Sequence, residues 1–409
     1  MGKRLTFRRL FRNMDQNLVV ILVVLICFGL VMLYSVSSYM ALVTKGDSMY
    51  YFKRQGVFCV LGFVTMFFFA RFFDYKKYAR LYIVLCLITF ASLAAVPFVG
   101  VTVNGAKRWL PTGISDINWQ PAELAKIAII VAVPAFICEL YRTRYKLKEL
   151  WKPIVLTVFM FLCVYKLTDN LSSGIIVLAI GAVIIFIVNK PTIPYLILVL
   201  VGLSGLYFAK PLIEKYLVSS DGSFRVGRLV IWANPEKYAA SGGYQIMQAL
   251  YAIGSGGLFG KGLGNSAQKM GFIPEAQNDM ILSIICEELG IVGLILVLLL
   301  FTMLLFRLRA IAQNAPDLYS ALVVSGIFAH ISLQVLLNVA VVINLVPTTG
   351  ITLPFISYGG TSMLFTMCEM GLALGISARS EVRTNDKVKT SRTENSQREM
   401  FRVEEGGRI

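Results

Sequence analysis

Ile273-Pro274-Glu275-Ala276-Gln277-Asn278-Asp279 runs without a break into Met280-Ile281-Leu282-Ser283-Ile284-Ile285, and this junction decides the fold. The first half closes a long polar insertion. The second half opens an apolar run of membrane-spanning length. A carboxylate at the mouth of a membrane helix is costly unless it is solvated, paired or used. Pro274 and Asn278 mark a helix start, which places Asp279 in or beside the first turn. The helix dipole favours the ionised acid there. The plain alternative is an acid that only caps the helix.

Working outward, the rest of the chain reads as membrane protein. Of 409 residues, 57% are hydrophobic and 15% charged, and the mean hydropathy is +0.71. A soluble protein carries more charge and does not sustain such runs. Ten candidate spans lie at roughly 17–39, 55–73, 79–99, 121–140, 153–168, 173–189, 193–209, 280–306, 318–343 and 357–377. The expected fold is an all-α polytopic membrane protein. The basic start (Lys3, Arg4, Arg8, Arg9, Arg12) precedes an apolar stretch long enough to remain as a span, so no cleavable signal is read there.

Lysine and arginine set the orientation. Arg71, Lys76, Lys77 and Arg80, then Arg142, Arg144, Lys146, Lys148 and Lys152, then Arg307 and Arg309 all fall on the side of the basic N-terminus. That side is cytoplasmic, and both termini lie on it. The net charge of +16 is therefore mainly a topology signal and not a nucleic-acid footprint. Residues 1–16 form a basic cytoplasmic tail, and 17–378 the membrane domain. Residues 379–409 are charged and poor in apolar side chains, and read as a disordered cytoplasmic tail. The outer face holds the loops at 100–120, 344–356 and 210–278, the last lying between the seventh and eighth spans. Long loops gathered on one face mark function.

All seven cysteines fall inside the expected spans without a CxxC pair, so they read as small apolar residues. The single histidine, His330, reads as packed and hydrogen-bonded. No metal ligand set is assigned. No Walker loop or dinucleotide fingerprint is present, which excludes ATP-driven transport by this chain alone.

Three outer-face segments carry the polar chemistry. The first is Asn104-Gly105-Ala106-Lys107-Arg108-Trp109, followed by Gln120-Pro121-Ala122-Glu123-Leu124-Ala125-Lys126. Glu123 and Lys126 share a helix face and should pair with each other or with a bound group. Lys107 and Arg108 beside Trp109 suit an interfacial anion site or a headgroup anchor. The second segment is Gly254-Ser255-Gly256-Gly257-Leu258-Phe259-Gly260-Lys261-Gly262-Leu263-Gly264, preceded by Gly243-Tyr244-Gln245. Its main-chain N–H groups could cradle an anion, or the loop could be a flexible lid. The third is Pro347-Thr348-Thr349-Gly350 through Pro354-Phe355-Ile356-Ser357-Tyr358-Gly359-Gly360. Its prolines and glycines at membrane depth imply broken helix, which is tolerated only when buried in protein or lining a cavity.

These motifs, with Glu287-Glu288-Leu289-Gly290 after Asp279, resemble the SEDS family (shape, elongation, division and sporulation), which includes FtsW, RodA and SpoVE. The likeness covers nearly all the spans and is greatest to the FtsW type. It implies a glycosyltransferase of the bacterial inner membrane, at the septum if it serves division. Such an enzyme polymerises lipid II at the outer face, with a class B penicillin-binding protein and other division or elongation proteins as partners. It places the catalytic acid on Asp279, with Glu123, Lys126 and Glu275 in support. Asn104, Lys107, Arg108, Trp109, Gln245, Lys269, Ser357, Gly359 and Gly360 are the expected substrate contacts. Lys107, Arg108, Lys126 and Lys269 are the cations available to a pyrophosphate leaving group. No organic cofactor is expected, and a divalent cation, Mg or Mn, is left open. The chain departs from the family at Asp169-Asn170, where a neutral Asn replaces the usual acid, so no catalytic role is placed there. Asn344 is a second departure. Two other readings fit the same residues: a lipid II flippase, and a non-catalytic scaffold.

Overall fold

The computed structural model describes residues 13–72, 75–103, 106–113, 118–142, 150–189, 224–240 and 242–380, with isolated positions between 193 and 213. Helix α1 (Gln16–Lys45) is capped by Asp15, whose carboxylate accepts from Leu18 N–H at 3.0 Å, and stops at Gly46 in the left-handed conformation. It is followed by α2 (Tyr50–Phe72) and α3 (Tyr75–Val99). Next come β1 (Val101–Val103), β2 (Ala106–Pro111), β3 (Asn118–Trp119) and α4 (Pro121–Arg142). Then come α5 (Trp151–Leu167), α6 (Leu171–Asn189), α7 (Phe224–Ala233) and α8 (Tyr244–Gly256). Helix α9 (Ile281–Gln313), α10 (Leu318–Val342) and α11 (Gly360–Ser380) complete the described chain.

Seven helices among the described residues are long and apolar enough to cross a membrane: α1, α2, α3 (from Leu81), α6, α9, α10 and α11. Helix α4, with 22 residues, is also about 33 Å long at 1.5 Å per residue. Nine of the ten expected spans thus coincide with helices, and the seventh, 193–209, lies largely outside the described residues. So do Asn104, residues 1–12 and residues 381–409.

Helix α4 is the centre of the bundle and packs on α3, α5, α6 and α10. Ala122, Ala125, Ala128 and Ala132 are fully buried on it. In lipid no hydrophobic force drives helices together, so small side chains that admit close backbone contact carry the packing. Asp15 N–H donates to Ser377 Oγ at 3.2 Å, and Arg307 donates to the Asp15 carboxylate. The start of α1 and the ends of α9 and α11 therefore meet at one face, as the lysine and arginine pattern requires.

Three findings modify the sequence reading. The loop at 100–120 is not helical or irregular throughout: β1–β2–β3 form a small antiparallel sheet, with Val103 opposite Ala106 and Leu110 opposite Trp119. The Asn104-Gly105 dipeptide after the β-branched run Val101-Thr102-Val103 is the sequence signal for such a pairing. Second, α9 is interrupted. Gly290 has φ 65° and ψ −160°, so the helix breaks about 13 Å below its start. Third, the glycine-rich segment braces the broken helix. Lys261 and Gly262 N–H donate to Glu287 and Glu288 C=O at 2.9 and 3.0 Å. Ile291 and Val292 N–H donate to Gly257 and Leu258 C=O at 3.0 and 3.2 Å. The loop supplies the main-chain bonds that the broken helix gives up, as buried backbone groups demand. A Cβ on Gly260 would lie 2.2 Å from Glu288 O, so the contact needs glycine.

Candidate active site

The outer ends of the helices bring the three polar segments together. Gln245 Nε2 on α8 donates to Pro274 O at 3.2 Å, and Tyr358 N–H donates to Gln277 O at 2.9 Å. The loop bearing Asp279 is thus fixed from both sides. Asn338 Nδ2 on α10 donates to Asp279 O at 2.9 Å and to Ile351 O at 2.8 Å. Gln334 Nε2 donates to Thr352 O at 3.1 Å. The segment after α10 is therefore broken helix buried in protein, with Leu353, Phe355 and Ile356 all in the core.

Asp279 precedes α9 by two residues and caps nothing: the N-cap is Met280, and the helix start makes no side-chain cap bond. The capping alternative is thereby lost. The carboxylate is half-buried and accepts from its own main-chain N–H, with no side-chain partner among the described residues. Burial pushes it up to about 6, Glu275 adds to the rise, and the Arg228 guanidinium opposes it. The expectation that the helix dipole would hold it low is corrected. Desolvation outweighs a dipole whose helix begins beyond the acid.

The neighbouring acids are engaged in the structure. Glu123 pairs with Lys126 at 2.7 Å, both buried. Glu287 accepts from Lys261 Nζ at 2.7 Å, from the Ser266 hydroxyl and from Ala267 N–H. Glu369 pairs with His330 at 2.8 Å. Glu275, at φ 49°, accepts from Asn278 Nδ2 at 2.9 Å on the exposed rim. Asn170 Oδ1 accepts from Ser173 N–H at 3.1 Å, so this neutral residue caps α6.

The cations divide into two sets. Lys126 is paired with Glu123. Lys269 is turned inward, donating to Gly264 O at 2.7 Å, Glu288 Oε1 at 2.9 Å and Ser35 Oγ at 3.3 Å. All three of its hydrogens are engaged within the protein. Lys107 donates to Pro97 O at 2.6 Å and Arg108 Nη2 to Asp169 O at 3.1 Å, both at the outer rim. Trp109 lies opposite Val101 in the sheet.

Arg228 was not foreseen. Helix α7 docks on the segment after α10 through Trp232 Nε1 to Asn344 O at 3.2 Å and Arg228 Nη1 to Thr348 O at 3.2 Å. Burial lowers the Arg228 guanidinium below its ordinary value, and Asp279 counters that. Asn344, with φ 56°, turns the chain so that its carbonyl meets the indole.

Ser357, Gly359 and Gly360 lie at and just before the start of α11. Ser357 Oγ accepts from Leu353 N–H at 2.9 Å, and Gly359 N–H donates to Gln55 Oε1 at 3.3 Å. A Cβ on Gly360 would meet the Phe58 ring at 2.4 Å. Among the described residues no three His, Cys, Asp or Glu side chains come together as a metal site.

The buried Glu123–Lys126 pair gives a direct test. Lys126→Ala leaves an uncompensated carboxylate and is expected to cost about 3–5 kcal/mol. Glu123→Ala with Lys126→Ala should recover part of that loss. Thermal unfolding of the single and double variants in detergent checks it. Strictly additive losses would mean that the two residues do not interact.

A family model described as "Cell cycle protein" (FtsW, RodA, SpoVE) matches residues 15–382. Stage V sporulation protein E of Bacillus subtilis is 37% identical over 368 residues, which are 90% of this chain and 97% of that protein. The probable peptidoglycan glycosyltransferase FtsW of a Geobacter species is 34% identical over 370 residues, 89% of this chain and 97% of that protein. Among solved structures, a chain from work on "Structural coordination of polymerization and crosslinking by a peptidoglycan synthase complex" superposes with a TM-score of 0.70 at 25% identity. It covers 90% of this chain and 98% of its own. The rod shape determining protein RodA of Thermus thermophilus superposes with a TM-score of 0.62 at 26% identity, over 89% of this chain and 96% of its own.

Proposed function

This chain belongs to the FtsW/RodA/SpoVE family, and from that premise we propose that it is a peptidoglycan glycosyltransferase that polymerises lipid II at the outer face of the bacterial inner membrane. The observation that carries the chemistry is the state of Asp279. It is an acid at the outer mouth that caps no helix and has no side-chain partner among the described residues. The attacking sugar hydroxyl must lose its proton as it reaches the anomeric carbon, and a carboxylate near 6 suits that transfer at neutral pH. Arg228 on α7, with Lys107 and Arg108 on the rim, faces the charge that develops on the departing pyrophosphate. The apolar helices hold the polyprenyl tails in the bilayer and supply proximity.

The similarity to a chain from a peptidoglycan synthase complex supports a class B penicillin-binding protein as the crosslinking partner. Residues 17–378 act as the membrane domain, between a basic tail and a charged one. The purified protein, alone and with its partner, is given labelled lipid II in detergent, where no sidedness exists. Glycan chains on a gel are the expected result. Lipid translocation in sealed vesicles with no polymer in detergent would favour the flippase instead.

The acid limb of the pH–rate profile tests Asp279 and Arg228 together. The base acts deprotonated, so the rate should fall about tenfold per pH unit below about 6 and level off above it. Arg228 opposes the rise at Asp279. Arg228→Gln should therefore move the limb to higher pH, and Arg228→Lys should move it part of the way back. A limb that stays in place in both variants would remove Arg228 from the site.

A further inference from the structure

His330, Gln334 and Asn338 recur at four-residue spacing on α10 and so lie on one face, about 6 Å apart along the axis. Their exposures are 1%, 5% and 0%. Asn338 and Gln334 donate to the carbonyls at Asp279, Ile351 and Thr352. His330 Nδ1 meets the Glu369 carboxylate at 2.8 Å. Each side chain then leaves one buried polar atom without a partner: Asn338 Oδ1, Gln334 Oε1 and His330 Nε2. The amides cannot be turned over to cure this, because their Nδ2 and Nε2 groups already face carbonyls and a flipped oxygen would face the same acceptors. Glu369 is equally short of partners. A carboxylate offers about four acceptor sites, and His330 is its one hydrogen-bonded neighbour among the described residues.

A dry interior does not leave four such groups in line. Buried polar atoms without protein partners are met by ordered water, and each buried water makes about three hydrogen bonds. A gap of about 6 Å is one or two water steps of roughly 2.8 Å. Three acids on the helices packed against α10 are held in ion pairs: Glu123 with Lys126 on α4, and Glu287 with Lys261 and Glu288 with Lys269 from α9. On α10 itself the three orphan atoms all belong to this stripe. We propose that this face of α10 holds a file of buried water running from the outer mouth beside Asp279 down to the His330–Glu369 pair, and that the pair is a proton-binding site in exchange with the outer solution. The upper end of the file is Asn338, which also holds the Asp279 main chain. The proton site and the loop bearing Asp279 are thus built on the same helix face.

The chain's single histidine makes the test direct. Full-length protein carrying isotope-labelled histidine alone is placed in lipid nanodiscs, and exchange of its imidazole proton with water is followed by magnetic resonance. Exchange within minutes is expected, slowed at least about tenfold by Gln334→Leu, which interrupts the file. Leu336→Ala, on the lipid-facing side of the same helix, should leave exchange unchanged. An imidazole proton that survives for hours in deuterated buffer would overturn the proposal. So would fast exchange that Gln334→Leu does not alter, because water would then arrive by another route. Should Gln334→Leu not fold, a high-resolution map of the wild type decides. Ordered water at the three orphan atoms supports the file, and dry density there overturns it.

Discussion

Asp279→Asn should stop glycan polymerisation, with a loss of at least about a hundredfold, the lower range for removing a positioned general base. The substitution keeps the side-chain size and the main-chain bond from Asn338 to the 279 carbonyl, so the loop keeps its anchor. It also removes a half-buried acid that burial disfavours, so thermal stability should be unchanged or slightly raised. That pairing of outcomes is the diagnostic part. A structural acid would lose stability and activity together, and a catalytic one loses activity alone. Gel analysis of chains made from labelled lipid II, alongside a melting curve, reads both. Chain formation at the wild-type rate would remove Asp279 from the chemistry.

A stability loss as large as that at Lys126 is expected at Lys269. Its ammonium joins three parts of the chain: Ser35 on α1, Gly264 in the glycine-rich loop and Glu288 on α9. Lys269→Ala strands the fully buried Glu288 carboxylate with the Ser35 hydroxyl, which contacts it at 2.6 and 2.8 Å. Breaking a buried pair in this way costs about 3–5 kcal/mol. Lys269→Met with Glu288→Gln should recover most of it, because neither side chain then carries a charge into the bundle. Thermal unfolding in detergent gives the comparison. A Lys269→Ala protein that melts with the wild type would show that the ammonium contributes nothing there.

The spans were legible because they rest on local composition, apolar runs of bilayer length. The Glu123–Lys126 pair was legible because helical spacing alone brings the two together. What the sequence hid is non-local. Lys269 reads as a free cation until Glu288, nineteen residues on, folds back against it. Arg228 acquires meaning only when α7 docks on Thr348 and Asn344, more than a hundred residues later. The state of Asp279 was misread for a related reason. The dipole is a property of the nearest helix, whereas desolvation depends on how the whole fold buries the group. The small sheet has a local signal, the Asn104-Gly105 turn pair after Val101-Thr102-Val103, set in a chain that is otherwise helical.

The break at Gly290 has a mechanical consequence. Helix α9 is two stiff rods on one swivel: a short upper rod, residues 281–289, next to Asp279, and a long lower rod, residues 291–313, in the bilayer. The upper rod is clamped to the glycine-rich loop by both glutamates and by main-chain bonds, so it moves with that loop. Torque applied to the lower rod, by a thinner bilayer or by a neighbouring membrane helix leaning on it, is taken up at the swivel before it reaches the upper rod. The joint isolates the acid's position from the tilt of the shaft below it, as a gimbal isolates an instrument from the roll of its mount.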